Sequence, residues 1–211
     1  MPVDHPQYPV NLVLSGRRCL VVGGGRVAAR KVEGLLACGA KVHVVAPAVG
    51  EDVRALAGAS LTWEQRAYRP GEVTGYRLAV AATDDHDVNR AVFDDGEAAG
   101  VWTNAADDPA HCSFTLPAVV RRGPVMVAVS TGGHSPALAT WLRSRVAEEV
   151  GPEYEVLAGL LAAEREAIQA SGRSTEDIDW HKALDSDMLA LIRAGEVRQA
   201  KERLQACLSS S

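Results

Sequence analysis

Two glycine-rich loops contain the residues of this chain whose types and spacing are best suited to chemistry. The first is Gly23-Gly24-Gly25-Arg26-Val27, which follows the apolar run Cys19–Val22 and precedes a helical pattern. The second is Ser130-Thr131-Gly132-Gly133-His134-Ser135, which follows the apolar run Val125–Val129 and also precedes a helical pattern. Each loop would present backbone N–H groups and the positive end of a helix dipole to an anion. The sequence therefore predicts two anionic ligands, as expected for a cofactor and a substrate brought together.

The first loop fits the pattern G-x-G-x-x-G/A through Gly23, Gly25 and Ala28. In this pattern the first glycine makes a tight turn, the second lets the backbone approach a pyrophosphate, and the small third residue allows close helix–strand packing. The loop is therefore predicted to bind a dinucleotide. The next strand ends in Val45-Ala46-Pro47, with neither an acidic residue for a ribose nor a basic one for a phosphorylated ribose. The residues alone therefore do not select NAD over NADP.

Composition restricts the class of protein. The chain has 211 residues, of which 47% are hydrophobic and 23% charged, values that are ordinary for a soluble globular protein. The net charge of −5 argues against a nucleic-acid binder, which needs a basic face. No apolar run approaches the length of about 20 residues that a membrane-spanning helix needs, and the first ten residues lack a signal-peptide pattern. The expected compartment is the cytoplasm, and the four scattered cysteines suggest neither a zinc site nor a disulfide framework.

Strand and helix patterns alternate between residue 18 and residue 117. The predicted strands are Cys19–Val22, Lys41–Ala46, Leu61–Glu64, Leu78–Ala82 and Val101–Thr103. Apolar runs separated by helices predict a parallel sheet that is covered on both faces. After Pro117 we predict a helix at Leu116–Val120, a strand at Val125–Ser130, and helices at Ser135–Val150, Glu153–Ala170 and Asp185–Leu208. The expected fold class is α/β, with a Rossmann-like domain (1–116), a small α/β segment (117–150) and a C-terminal helical domain (151–211).

The motifs of the chain resemble one family. The matching residues, in order, are Tyr8-Pro9-Val10, Gly23-Gly24-Gly25, Val27-Ala28, Arg30-Lys31, Ala82-Thr83-Asp84-Asp85, Val88-Asn89, Asn104, Asp107, Ser113-Phe114, Leu116-Pro117 and Val127–Pro136. The chain is similar over Tyr8–Val150 to the precorrin-2 dehydrogenase family, which includes the N-terminal half of siroheme synthases. The Ser-Thr-Gly-Gly-x-Ser-Pro loop is the most specific part of this resemblance, whereas the helical tail is similar only in size and character.

The resemblance implies an oxidoreductase of siroheme biosynthesis, a branch of porphyrin and tetrapyrrole biosynthesis, that oxidises precorrin-2 to sirohydrochlorin with NAD. Some members of the family also act as ferrochelatases and insert ferrous iron in the same cleft. The family further implies a cytoplasmic homodimer formed through the segment after the nucleotide domain, without nucleic-acid or membrane partners. The chain departs from relatives by lacking a methyltransferase domain, as expected for a stand-alone form, and by having Arg26 where an acidic or other polar residue is common.

The resemblance also implies site residues. Those expected to bind the cofactor are Gly23, Gly24, Gly25, Arg26, Val27, Ala46, Pro47, Ala48, Thr83, Asp84 and Asn104. Those expected to bind the substrate are Ser130, Thr131, Gly132, Gly133 and Ser135. The catalytic residue is expected to be Asp107, because it follows the fifth strand, where α/β sheets hold ligands, and a carboxylate there could accept a proton. The alternative is that Asp107 is a turn residue before Asp108-Pro109, although Asp108 is the better candidate for that turn.

Several alternatives remain open at this stage. Four arginines near the second loop are candidates for binding substrate carboxylates, or belong to a solvated face: Arg121, Arg122, Arg143 and Arg145. His111 and His134 are candidates for iron ligands or are ordinary surface residues, so no metal site is assigned. Thr83 and Asp84 would contact the cofactor or cap the following helix. The alternative functions are a bifunctional dehydrogenase and ferrochelatase, and a catalytically idle dimeric domain that senses a dinucleotide.

Overall fold

The computed structural model describes residues 5–106, 108–176, 178–184 and 187–209. These residues form two compact units. The first contains the chain as far as Leu116 together with Gly132–His134, and the second contains Pro117–Thr131 and the chain from Ser135 onwards. The division of the second unit at residue 150 stays a prediction.

The first unit is built on a five-stranded parallel sheet. Its strands are β1 (Arg18–Val22), β2 (Lys41–Ala46), β3 (Leu61–Gln65), β4 (Leu78–Ala81) and β5 (Trp102–Ala105), and its helices are α1 (Arg26–Ala37), α2 (Glu51–Arg54) and α3 (His86–Ala99). The strands lie in the order β3-β2-β1-β4-β5, and every pairing between them is parallel. The expected α/β, Rossmann-like fold class is confirmed.

Both faces of this sheet are covered, which explains why its strands are apolar without alternation. Cys19 and Val21 belong to a buried cluster that includes residues of α1, whereas Leu20 and Val22 belong to a second cluster that includes residues of α3. A strand in such a sheet needs apolar side chains at every position, because neither of its faces meets water. The central strands therefore hold the carboxyl edge of the sheet rigidly.

The second unit begins with an antiparallel hairpin and continues with five helices in its described part. Its elements are β6 (Ala118–Arg122), β7 (Val125–Val129), α4 (Pro136–Glu149), α5 (Glu153–Ala170), α6 (Trp180–Leu184), α7 (Met188–Arg193) and α8 (Val197–Ser209). A buried cluster that includes Leu157, Met188 and Leu204 joins α5, α7 and α8.

Two predicted elements of this unit are wrong. The predicted helix at Leu116–Val120 is a strand, because Val119 and Val120 are β-branched and pair in register with β7 across a turn at Gly123, whose φ is 54°. The predicted single helix Asp185–Leu208 is interrupted, because Gly195 adopts a φ of 80° between α7 and α8. In the second region a glycine turn ends a helix that the apolar pattern would have continued.

All four cysteines of the chain are free thiols in the structure. Cys19 is fully buried in β1, and burial raises the pKa of its thiol to about 11, with a smaller contribution from Cys38. Its thiol is therefore neutral at physiological pH and packs as a small apolar group. Within the described ranges, no helix combines the length and the apolar character needed to cross a bilayer.

A prediction on stability follows from the packing of α3 against β5. A Cβ atom at Gly96 would overlap the Oγ1 atom of Thr103 and lie 3.1 Å from the carbonyl oxygen of Val101, so the helix would have to move away from the strand. We expect Gly96→Ala to lower the free energy of unfolding by about 1–3 kcal/mol, the usual effect of overpacking. Urea denaturation measures this change.

The matched control is Gly34→Ala, because Gly34 lies on the exposed side of α1 and an added Cβ there meets nothing within 4 Å. Helix propensity predicts that this variant is more stable than the parent chain by about 0.5–1 kcal/mol. A loss of stability at Gly34 similar to that at Gly96 would mean that close packing is not the cause.

Candidate functional site

The candidate site lies where the connections of the sheet change direction. The chain continues from β1 to β2 on one side of β1, and β4 pairs with β1 on the other side. The carboxyl ends of β1 and β4 are therefore adjacent but lead away from each other, which leaves a crevice between them. Gly23 follows β1 directly, and Thr83 lies two residues after the end of β4.

Gly23 is the tight turn that the sequence predicted. Its φ is 126°, a conformation that favours glycine, and a Cβ at this position would overlap the carbonyl oxygen of Ala82. Its N–H donates to the carbonyl oxygen of Val45, with an N···O distance of 2.9 Å. Gly23 therefore anchors the loop to the ends of both neighbouring strands.

Gly24 allows the loops after β1 and β2 to touch through their backbones. A Cβ at Gly24 would overlap the carbonyl oxygen of Ala48, and the carbonyl oxygen of Gly24 accepts a hydrogen bond of 2.9 Å from the N–H of Gly50. Pro47 and Ala48, which we expected at the cofactor, lie in the loop after β2 and are exposed, whereas Ala46 at the end of β2 is buried.

Gly25 faces open space instead of protein. It is the N-cap of α1, its φ is −85°, and an added Cβ would meet nothing within 4 Å. No side chain caps α1, and its first turn contains no acidic residue. The first N–H groups of a helix have no partner within the helix, so this end of α1 offers both the room and the donors that a pyrophosphate requires. Arg26 is exposed and Val27 half-buried in the same turn.

The end of β4 is organised by a buried asparagine that the sequence analysis did not single out as a site residue. Asn89 is 1% exposed, its Nδ2 donates to the carbonyl oxygen of Thr83 (2.9 Å), and its Oδ1 accepts from the N–H of Thr83 (3.2 Å). The signal available in the sequence was a polar residue on the buried face of α3, in line with Val92. Asp85 caps α3 by accepting from the N–H groups of Asp87 and Val88, so neither Thr83 nor Asp84 is the cap. Asp84 is exposed at the carboxyl edge.

Asn104, another expected cofactor residue, uses its amide within the protein. Its Nδ2 donates to the carbonyl oxygen of Phe114 (2.9 Å) and to Sγ of Cys112 (3.2 Å). Cys112 Sγ in turn donates to the carbonyl oxygens of Ala105 and Asp108, each at 3.2 Å. These bonds close the segment that follows β5 into a short loop. Burial raises the pKa of the Cys112 thiol, so it remains a neutral donor.

Asp107, the expected catalytic residue, lies outside the described residues, but the residues on each side of it are placed. Ala106 donates its N–H to the carbonyl oxygen of Ala81 (2.7 Å), which continues the pairing of β4 with β5. Asp108 accepts a 2.7 Å hydrogen bond from Nδ1 of His111, whose ring contacts that of Phe93 edge-on at 5.3 Å. This bond holds the pKa of the Asp108 carboxyl below its ordinary value, with smaller contributions from the Ala110 N–H and from the charges of His111 and His86.

We expect His111→Gln to raise the pKa of Asp108 towards its ordinary value of about 3.9. Because the pKa of Asp108 is lower in the folded state than in the unfolded chain, the ionised carboxylate stabilises the fold at pH values above the unfolded-state pKa. This contribution disappears as the pH falls through the folded-state pKa. The difference in unfolding free energy between parent and variant should therefore shrink as the pH falls. Titration of the Asp108 carboxyl carbon by NMR measures the shift. His86→Gln is the control, since the charge of His86 contributes least, and an equal shift in both variants would contradict the pairing with His111.

The two parts of the second glycine loop are assigned to different units, so each is described by itself. In the second unit, Ser135 caps α4 by accepting from the N–H of Leu138 (3.1 Å), and Thr131 Oγ1 accepts from the N–H of Ser135 (3.2 Å). Ser130 is exposed. In the segment Gly132–His134, the two glycines have φ values of 59° and 81°. The turn therefore requires glycine at both positions, and the role of these residues in binding a substrate stays a prediction.

Three of the four arginine candidates are gathered around one pocket of the second unit. Arg121, Arg122 and Arg143 line a cavity of about 330 Å³, whereas Arg145 pairs with Glu148 at 3.0 Å. Of the two histidines considered as iron ligands, His111 pairs with Asp108 and His134 is exposed. The part of the chain that the structure describes contains no cluster of three or more His, Cys, Asp or Glu side chains suited to a metal ion.

Comparison with known proteins agrees with this geometry. Residues 10–118, just over half of the chain, match the family NAD_binding_7, described as "Putative NAD(P)-binding". The chain is 38% identical over 207 residues to a siroheme synthase of Nitrosomonas europaea and 40% identical over 206 residues to one of Nitrosococcus oceani. Each alignment covers 96% of this chain but only 44% of the relative, so the chain spans less than half the length of these relatives.

A solved structure is similar over nearly the whole chain. It is titled SirC, precorrin-2 dehydrogenase, and it matches with a TM-score of 0.72 and 26% sequence identity, covering 95% of this chain and all of that one. The expected resemblance is thereby confirmed, and the cofactor is a nicotinamide dinucleotide. Because its residues 10–118 match the model of the NAD(P)-binding family NAD_binding_7, the chain belongs to that family.

Proposed function

We propose that this protein is an NAD-dependent dehydrogenase that oxidises precorrin-2 to sirohydrochlorin in siroheme biosynthesis. The observation that carries the proposal is Gly25, where an uncapped helix N-terminus and free space above the backbone meet at the crevice of the sheet. This arrangement suits a pyrophosphate. The similarity of nearly the whole chain to siroheme synthases and to a precorrin-2 dehydrogenase supports the choice of substrate.

The chain supplies positioning and proton transfer for this reaction. A bound nicotinamide would supply the hydride acceptor for this oxidation, which also requires the substrate to lose a proton. We assign that proton to the carboxylate of Asp107, on the loop after β5. Asn104, Cys112 and Phe114 brace the base of this loop by hydrogen bonds. Ser130 to Ser135 are assigned to the substrate, which is a polycarboxylate, because N–H groups in such a loop favour anions.

We propose NAD over NADP because of charge near the end of β2. The first turn of α2 contains Glu51 and Asp52, both exposed, and the one basic residue of this short helix, Arg54, donates its Nε to the carbonyl oxygen of Val49 (3.0 Å). Two carboxylates against one guanidinium leave a net negative charge on this helix, which would repel the additional phosphate of NADP but would tolerate the ribose hydroxyls of NAD. Comparison of the two Kd values by calorimetry tests this choice.

The experiment that tests the function is an anaerobic assay with precorrin-2 and NAD, in which NADH and sirohydrochlorin are followed by absorbance. Equal amounts of the two products would support the dehydrogenase. If the protein binds NAD but shows neither turnover nor binding of the tetrapyrrole, the result would instead support the catalytically idle sensor. Ferrous iron is then added as a second substrate, and siroheme formation above the uncatalysed rate would support the bifunctional enzyme. Paired formation of NADH and sirohydrochlorin is the expected result.

We also propose that the protein is a homodimer formed through its second unit. The exposed face of α4 contains Leu138 and Trp141, which are 47% and 59% exposed. Large apolar residues grouped on an exposed helix are typical of an interface. We expect the parent chain to be a dimer by light scattering. Trp141→Arg should raise the dissociation constant of the dimer at least about tenfold, since an aromatic hot spot contributes about 2 kcal/mol or more. The control is Trp102→Arg in β5 of the first unit, and a dimer unaffected by Trp141→Arg would exclude this surface.

A further inference from the structure

We propose that the pocket lined by Arg121, Arg122 and Arg143 binds an oxyanion, namely a carboxylate or phosphate group of a small ligand. The pocket has a volume of about 330 Å³, within the range of about 300–1,000 Å³ that small-molecule sites usually have. All of its lining residues belong to the second unit.

The hairpin and α4 bring the three arginines together. Arg121 and Arg122 end β6, just before the turn at Gly123. On the opposite wall, Arg143 and Ser144 lie in the second half of α4. The hairpin and the helix therefore place arginines that are about twenty residues apart in the sequence in the lining of one pocket.

Arg122 is held in place without being neutralised. Its Nη1 donates to the carbonyl oxygen of Arg121 (2.9 Å) and its Nη2 to that of Ala147 (3.3 Å). Its Nε is buried and has no hydrogen-bond partner in the described part of the chain. Buried donors without an acceptor are rare in folded proteins. Carbonyl oxygens fix the side chain but do not neutralise it, so its positive charge remains to attract an anion.

Two of the acidic groups near the pocket are already paired. Glu148, the carboxylate in its lining, accepts from Arg145 at 3.0 Å. Glu153 accepts from Arg193, with a closest N···O distance of 2.6 Å. The pKa of Glu153 lies below its ordinary value because its own backbone N–H and Arg193 donate to it, and the charge of Arg122 adds a smaller effect. Within the described ranges, Arg121 and Arg143 make no ion pair, and the pocket lining contains three arginines and one carboxylate in a chain with a net charge of −5.

Guanidinium groups select the chemistry of the ligand. Their planar arrangement of donors matches carboxylate and phosphate oxygens in pairs, so a ligand with two or more such groups would contact more than one of these arginines. Two sources supply this chemistry. One is a small free anion, and the other is a carboxylate arm of the tetrapyrrole, which rests on the proposed function.

The side-chain Nε–H signals of arginine in a 1H–15N NMR spectrum report on this pocket directly. The buried Nε–H of Arg122 is shielded from exchange with water, which favours its detection. The probes are citrate and inorganic pyrophosphate, added to the full chain in the presence of saturating NAD so that the first glycine loop is occupied. We expect a saturable shift of the Arg122 signal with at least one probe.

The test variant is Arg121→Gln with Arg143→Gln, which leaves the buried Arg122 intact. The matched control is Arg165→Gln with Arg203→Gln, two exposed arginines of the same unit whose loss changes the net charge equally. We expect affinity for the probe to fall at least about tenfold in the test variant, as for the loss of a charge-assisted hydrogen bond, and less than about twofold in the control. Equal loss in both variants, or no saturable shift, would overturn the proposal.

Competition identifies the source of the ligand. Displacement of the probe by sirohydrochlorin would assign the pocket to the carboxylate arms of the tetrapyrrole, and saturable binding without displacement would assign it to a free anion. Because the probe is measured without turnover, failure of the dehydrogenase assay would leave this result unaffected, and failure of anion binding would leave the assay unaffected.

Discussion

Gly25→Ala should bind NAD at least about tenfold more weakly than the parent chain while keeping its stability. The added methyl group meets no protein atom within 4 Å, so the fold has no reason to change. The same methyl group would occupy the space through which a pyrophosphate approaches the start of α1. The loss of one or two charge-assisted hydrogen bonds, at about 1.5–3 kcal/mol each, accounts for this weakening. Calorimetric titration with NAD, together with urea denaturation, measures both quantities.

Gly24→Ala is the matched control, because it adds the same atom one residue earlier. There the methyl group would overlap the carbonyl oxygen of Ala48 and lie 3.0 Å from the Cα atom of Val49. We therefore expect a loss of about 1–3 kcal/mol in the free energy of unfolding, as in other overpacked sites. Unchanged NAD affinity in Gly25→Ala would mean that the pyrophosphate does not lie over this residue.

The second large effect is expected at Asp107. Asp107→Ala should bind NAD like the parent chain yet lose turnover by about 10²–10⁴-fold, the usual contribution of a general base. The reason is that NAD contacts are assigned to the loops after β1, β2 and β4, whereas Asp107 is assigned to the proton of the substrate. The anaerobic precorrin-2 assay and a calorimetric titration with NAD separate the two effects.

The control for Asp107 is Asp94→Asn, since Asp94 is an exposed carboxylate on α3 in the same unit. It removes an equal charge from the first unit, so its turnover should stay close to that of the parent chain. Full turnover in Asp107→Ala would remove the proton-transfer role from this residue. Loss of NAD affinity in the same variant would instead indicate a role in the cofactor site.

Much of the first unit could be predicted because its physics is local. The predicted apolar run Leu78–Ala82 contains the strand β4, whose residues are all buried, since a strand covered on both faces must be apolar throughout. The glycine loop was predictable for a similar reason, because a turn with a positive φ at Gly23 restricts the residue type. Each of these features depends on a few consecutive residues.

The error at Leu116–Val120 arose where distant residues decide the structure. The stretch Leu116–Val120 is too short to show a period, and only its pairing with β7 makes it a strand. The roles of Asn89 and Asn104 depend on the folding of nearby turns, because their hydrogen-bond partners Thr83 and Phe114 lie six and ten residues away. The gathering of Arg121 and Arg143 also depends on packing between a helix and a hairpin. No short segment of sequence contains this information.

The contact between the loops after β1 and β2 has a consequence for protein engineering. The bond from the Gly50 N–H to the Gly24 carbonyl involves only main-chain atoms, as does the close approach of Ala48. Substitution of the exposed Pro47 would leave these atoms in place, whereas inserting or deleting one residue between Ala46 and Gly50 would displace them. Libraries designed to change cofactor preference should therefore vary side chains in this loop at constant length. A change in its length would displace the backbone contacts that hold the turn at Gly23–Gly25, whereas a change in its side chains would not.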